Sequence, residues 1–292
     1  MIFSELVGEL MGILSDKSFE YASDYFGKRV SVLEGDELLE LVLNIGILPE
    51  AVRVDSSEEK LFAKLSDIVL AKCLNECGLK AQIYSQRANS ADVWATSLSH
   101  SYSLVADAKV FRLSRTAKNQ KDFKVQSMRL WRGKHNYAVL VCPLFQYPQV
   151  KSQIYAQAIE NNILLFSWEH LAIMMCKGLR ETASCSLEQI WNMSQEIQRI
   201  GYSGHKTLWE VENKLFCKAL DMDYEDFQLK LNAYRKLFVS RGHEELTALH
   251  DQLHQIQNYS REKAISELIA AMRYNEKISM IMKNIHNLEN QR

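Results

Sequence analysis

Tyr102-Ser-Leu-Val-Ala-Asp107-Ala-Lys109-Val-Phe111 is an apolar run interrupted by one acid and one base two residues apart. An extended chain alternates its side chains between two faces, so a strand here sets Asp107 and Lys109 on one face and Ala108 on the other. The plain reading is a surface ion pair worth ~0–1 kcal/mol. The chemical reading adds Asp92, fifteen residues upstream. Two carboxylates can hold a divalent metal through hard oxygens, and a neighbouring lysine can steady a water nucleophile or the charge growing on phosphorus. Those are the requirements of phosphodiester hydrolysis. The acid-x-lysine pattern occurs four times, also at Glu58–Lys60, Asp122–Lys124 and Glu212–Lys214. The other three fall in segments with helical patterning, where residues two apart do not share a face.

Outward from this stretch, strand-like segments cover residues 82–85, 92–97, 137–142 and 163–167, with helical segments at 115–131 and 151–161. Helices between the last strands call for parallel crossovers. The expected fold is therefore α/β, a mixed central β-sheet flanked by helices, with helical N-terminal and C-terminal regions. The boundaries read as 1–50 for the N-terminal helical region, 51–185 for the core and 186–292 for the C-terminal helical region, the last packed as one compact unit with the core. In the first region Leu6, Leu10 and Leu14 share a face and Asp36 is placed to cap a helix. Ser56 and Glu59 have the spacing of a capping box ahead of a helix over 57–77, and Glu59 can alternatively face the site. Breaks in the C-terminal helices are expected around Gly201–Gly204 and near Gly242.

With 292 residues, 47% of them hydrophobic, the chain can bury a large core without covalent staples. Its six cysteines lie mostly in apolar stretches with no CxxC pair, which favours reduced thiols. Glu5 and Glu9 precede any basic residue, and no apolar run approaches the ~20 residues of a membrane span, so a cytoplasmic location is expected with no membrane partner. The net charge of −1 conceals an asymmetry: residues 112–134 carry eight basic side chains against Asp122 alone, net +7, and the remainder is net −8. A charge run is often just a solvated helix face. Beside a candidate metal site it also suits a polyanion. His250 and His254, one helical turn apart, lack the glutamate and third ligand of a zinc site. Gly201-Tyr-Ser-Gly204 lacks the spacing of a nucleophile elbow.

Leu104 to Val125, which spans the acid–lysine pair and the basic segment, resembles the HindIII family of type II restriction endonucleases, within the PD-(D/E)xK nuclease superfamily. So do Ile45–Ala51, Glu59–Phe62, Asp67–Lys72, Phe145–Pro148 and Leu164–Ile173, which together cover about residues 45–175. The resemblance implies a homodimeric, Mg²⁺-dependent endonuclease that cuts both strands of a palindrome and leaves 5'-phosphates and 5' overhangs. It places Asp92, Asp107 and Lys109 on the catalytic positions, with Asp92, Asp107 and the Ala108 carbonyl as metal ligands and Glu59 in support. The palindrome it implies is AAGCTT, cut after the first A, with a separate DNA methyltransferase as partner. In the matched basic block, Asn119 can pair with adenine, Lys121 with guanine and Asp122 with cytosine, while Arg115, Lys118 and Lys124 supply further DNA contacts. Alternatively Asn119 and Lys121 bind phosphates and Asp122 makes a helix ion pair. Ala88 and Ala91 replace family glycines ahead of Asp92, and residues 132–136 are more basic than in the relative. Two other outcomes stay open: a binding module of this fold without the chemistry, and a less specific repair nuclease.

Overall fold

The computed structural model describes residues 2–84, 90–115, 120–148, 152–201, 205–272, 278–279 and 281–282. Their contacts divide the chain into a unit spanning 1–240 and a second spanning 241–292. The first unit opens with three helices, α1 (Ile2–Ile13), α2 (Phe19–Ser31) and α3 (Gly35–Asn44), followed by α4 (Ser57–Glu76). Leu6 and Leu10 are fully buried, as the one-face spacing requires. Asp36 does not cap α3: the N-cap is Glu34, and Asp36 sits in the first turn, where its charge favours the helix dipole.

Five strands form one sheet in the order β1 (Lys80–Ile83), β2 (Val93–Thr96), β3 (Ser103–Ala108), β4 (Tyr137–Cys142) and β5 (Ile163–Ser167). β1, β2 and β3 pair antiparallel, whereas β3–β4 and β4–β5 are parallel. The crossovers are the helical pair α5 (Gln120–Phe123) and α6 (Val125–Arg132), then α7 (Gln153–Glu160). This is the mixed, helix-covered sheet expected from the pattern. The single helix expected over 115–131 is broken at Lys124, whose φ of 49° is left-handed and separates α5 from α6.

Strand alternation divides the apolar side chains between two cores. Leu104, Ala106, Val139, Val141 and Phe166 face a core built with α1–α4 and α8 (Trp168–Cys176). Val105, Ala138, Leu140 and Leu165 face a second core with Phe123, Val125, Met128 and Tyr155. Each strand of the parallel part is thus buried on both faces, which explains its continuous apolar sequence. Gly46 allows the closest approach: a Cβ there would lie 2.3 Å from Pro143 Cγ, and its carbonyl accepts from Phe111 N at 3.2 Å, fastening the chain just beyond β3.

After α8 the described elements are helices: α9 (Glu188–Trp191), α10 (Met193–Ile200), α11 (His205–Ala219), α12 (Tyr224–Gln257) and α13 (Arg261–Ala271). The expected break near Gly242 does not occur, because α12 runs through it for 34 residues. One helical glycine costs about 1 kcal/mol, which a long helix absorbs. No described helix is long and apolar enough to cross a membrane. Every described cysteine is a free thiol, with Cys73, Cys77, Cys142 and Cys217 buried.

Candidate active site

The β2–β3 ladder brings the two aspartates together. Val93 pairs with Ala106, and one further step of the same antiparallel register sets Asp92 opposite Asp107. β3 ends at Ala108 rather than continuing to Phe111, so Lys109 lies one residue past the strand. Parallel hydrogen bonding still holds it, because Lys109 N donates to Val141 O at 2.7 Å. The extended geometry survives, and Lys109 Nζ donates to Asp107 Oδ2 in an ion pair. Asp107 is 2% and Lys109 9% exposed, so this is not the solvent-screened surface pair of the plain reading. Burying such a pair carries a desolvation penalty that its Coulomb attraction only partly offsets, which makes it poor evidence for stability and better evidence for function.

Electrostatics divides the carboxylates. Burial, followed by the hydrogen bond and charge of Asp107, pushes the Asp92 carboxyl up to about 7. Burial also pushes Asp107 up, but the Lys109 ammonium, hydrogen bonds from Asp92 and Lys109, and the charge of Lys124 outweigh it and hold Asp107 below the usual carboxylate range. Lys109 is held above its ordinary value because Asp107 outweighs the opposing effect of burial. A proton shared within a crowded carboxylate pair marks a place where positive charge is wanting. Asp92 and Asp107 bring two carboxylates together at this end of the sheet. Among the described residues no group of three or more His, Cys, Asp or Glu side chains is arranged to hold a metal. Two carboxylates therefore suit a hard cation that keeps water and substrate phosphate in its shell, and would not make an all-protein cage.

Two residues at the site had no role assigned from sequence. Asp67, on the inner side of α4, is buried, and its carboxyl is pushed well up by burial and then by the charges of Asp92 and Asp107. Lys64, one turn earlier, bears on both Asp67 and Asp92. The available signal was an acid inside the apolar stripe of Leu65, Ile68 and Val69, which a half-buried helix excludes unless something nearby needs it.

Glu59 acts at the start of α4. Ser56 Oγ accepts from Glu59 N at 3.1 Å, as in a capping box, but the Glu59 carboxylate accepts from Asp55 N at 2.6 Å instead of from Ser56 N. Its other oxygen accepts from Arg112 Nη1 at 2.6 Å, and Arg112 Nη2 donates to Val52 O at 2.6 Å. Glu59 thus ties the segment after Lys109 to α4.

Within the basic segment, α5 and α6 pack through Phe123, Val125 and Met128 on the face of the sheet that carries Asp107. Phe123 anchors them, fully buried and stacked on Tyr147 with ring centroids 5.5 Å apart. Asp122 pairs with Arg115, and Lys124 lies 5.7 Å from the centre of the Trp131 ring. Lys121 is exposed. Lys118 and Asn119 lie outside the described residues, as does Ala88. Ala91 is 1% exposed and does not occupy the left-handed region, which non-glycine described residues reach only at Asp55, Lys124, Asn162 and Asp221. Its methyl group is therefore compatible with this backbone.

A mixed sheet flanked by helices, with an acid–lysine pair at the end of its central strand and a second aspartate opposite, is the architecture of a restriction endonuclease. The family model described as HindIII restriction endonuclease matches residues 11–286, and the chain belongs to that family. It is similar to the type II restriction enzyme HindIII of Haemophilus influenzae, with 41% identity over 270 residues that cover 92% of this chain and 90% of the relative.

Proposed function

We propose that this HindIII-like type II restriction endonuclease hydrolyses double-stranded DNA at AAGCTT, after the first A, in a reaction that depends on Mg²⁺. The observation that carries the chemistry is the buried Asp107–Lys109 pair facing Asp92, with α5 and α6, from a stretch of sequence that is net +7, packed on the same sheet face. In this reading Asp92, Asp107 and the Ala108 carbonyl hold the metal, which when bound polarises the phosphate and lowers the pKa of a water. Lys109 Nζ, fixed by Asp107, orients the attacking water and answers the charge that develops on the phosphoryl oxygens. Glu59 supports the site indirectly, by fixing Arg112 beside the start of the DNA-contacting segment.

Within that segment Asn119, Lys121 and Asp122 read bases, and Arg115, Lys118 and Lys124 neutralise phosphates. Asp122 is held by Arg115, so it meets cytosine N4 only if that pair opens or is shared. The match of this block to the HindIII family supports the palindrome assignment. Cutting both strands of a palindrome calls for two copies of the site, hence a homodimer. The reading places the enzyme in the cytoplasm with a separate methyltransferase that protects the host's own sites.

Incubation of plasmid DNA with the protein and Mg²⁺ tests this. The expected result is a discrete set of fragments ending in AGCT 5' overhangs with 5'-phosphates. Intact plasmid across a wide range of salt and metal would leave a binding module, and a smear would leave a repair nuclease.

A further inference from the structure

The two aspartates of the site are not equally secured. Asp107 lies within β3, which is paired on both sides, and Lys109 fixes its carboxylate. Asp92 lies one residue before β2, and the strand on its other side is β1, the outermost of the described sheet and only four residues long. Beyond the Ile83–Val93 pair a single further bond completes that ladder, from Tyr84 N to Asp92 O at 3.0 Å. Terminal rungs of short edge strands open first, since few contacts oppose them. The position of Asp92 therefore depends on what holds Tyr84.

The Tyr84 side chain is half-buried on the same sheet face as Trp94, with ring centroids 6.3 Å apart. Its hydroxyl meets His135 Nε2 at 3.1 Å, and His135 Nδ1 meets Ser103 Oγ at 3.0 Å. The far end of this file is tied to backbone. Asn136 N donates to Ser103 O at 2.9 Å, Ser103 N donates to Asn136 Oδ1 at 3.0 Å, and His135 N donates to Arg132 O at 2.8 Å. Three segments distant in sequence thus meet through side chains: the end of β1, the start of β3 and the turn between α6 and β4.

The chemistry of the ring suits a bridge. Burial, and then the charge of Lys134, hold His135 below its ordinary value, so the imidazole is neutral near pH 7. A neutral imidazole donates through one nitrogen and accepts through the other, and each hydroxyl can do either, so both bonds form at once in either tautomer. Groups that orient a metal ligand matter as much as the ligand's identity, because their loss typically weakens metal affinity about 10–100-fold. We infer that Ser103, His135 and Tyr84 are positioning residues, a hydrogen-bonded file that holds Asp92 in register opposite Asp107. The consequence for metal binding rests on the function proposed above, which makes Asp92 a ligand.

Hydrogen exchange at the Tyr84 amide, read on the full chain without metal, tests the file directly. Tyr84→Phe removes the hydroxyl, and His135→Asn keeps only the side facing Ser103. Both should speed that exchange about 5-fold or more while the amides of β4 keep wild-type protection. His135→Gln, whose amide reaches the place of Nε2, should restore it. In plasmid cleavage the Mg²⁺ concentration giving half-maximal rate should rise about 10-fold in Tyr84→Phe and His135→Asn, with DNA affinity in gel shifts and the rate at saturating Mg²⁺ near wild type. Unchanged exchange in those two variants, His135→Gln exchanging as fast as His135→Asn, or faster exchange with an unaltered Mg²⁺ requirement would each overturn the inference. The two proposals fail separately: a wild type that cuts no DNA at any Mg²⁺ concentration while the amide behaves as expected refutes the nuclease reading alone, and a cutting enzyme whose Tyr84 amide ignores the substitutions refutes this inference alone.

Discussion

Two acid–lysine triplets, fifteen residues apart, end up in opposite circumstances. At the end of β3, Asp107 and Lys109 are drawn together by extended backbone, buried, and joined in an ion pair. At the α5–α6 junction, Asp122 turns to Arg115 while Lys124, in a left-handed conformation, lies beside Trp131. The same acid-x-lysine pattern yields a buried ion pair in one case and two separately partnered side chains in the other. Chemistry follows from the backbone under the motif and from what excludes water above it, and the motif itself decides little.

The sharpest way to break this contrast is at the lysines. Lys109→Ala is expected to lower the cleavage rate about 10³-fold or more while leaving DNA binding nearly intact in gel shifts; equal losses of binding and cleavage would remove its assigned role. Stability separates the acids next. Asp107→Ala leaves Lys109 buried without its partner and should destabilise the fold by about 3–5 kcal/mol in urea melts. Arg115→Ala breaks a pair whose arginine is 45% exposed and should change stability by less than about 1 kcal/mol.

His170 supplies the case of burial without an opposite charge. Its ring is enclosed by Phe166 and Phe216, with Ser167 Oγ at 2.7 Å and Asn213 Oδ1 at 3.0 Å, and burial pushes its pKa from 6.5 down to about 4. The folded state then binds this proton less readily than the unfolded state. Its contribution to stability is full above about pH 6.5 and falls by about 3 kcal/mol as the pH drops to 4. Thermal melts of wild type and His170→Gln across that range should diverge, and parallel curves would contradict the assignment. The smallest effect belongs to the rim, where Lys121→Ala should weaken binding across all DNA sequences and reduce the slope of log K against log salt by ~1 if it contacts phosphate. Loss of discrimination at a single base pair would mark it as a base reader instead.

Much of the sheet was legible because its signal is local. β4 and β5 match the expected 137–142 and 163–167, since runs buried on both faces have sharp ends. Lys109 escaped β3 because strand termination depends on where the neighbouring strand stops, a non-local fact. Asp92 and Asp107 were within reach through alternation and resemblance together. Asp67 was not, because helical periodicity marks it only as an exception to an apolar face, and what it answers lies 25 or more residues away in sequence. The continuity of α12 through Gly242 was missed because a glycine penalty of about 1 kcal/mol is a weak vote against 34 residues of helix.

The left-handed lysine between α5 and α6 also has a consequence for how such enzymes diversify. Val125 and Met128 on one side of Lys124 are locked into the core, whereas Lys121 and Asp122 on the other stand on a single short turn pinned by Phe123. Substitutions in this turn can therefore accumulate without disturbing the strand that carries Asp107. The joint at Lys124 divides a part of the crossover that the core holds through Val125 and Met128 from a part that it holds through Phe123 alone.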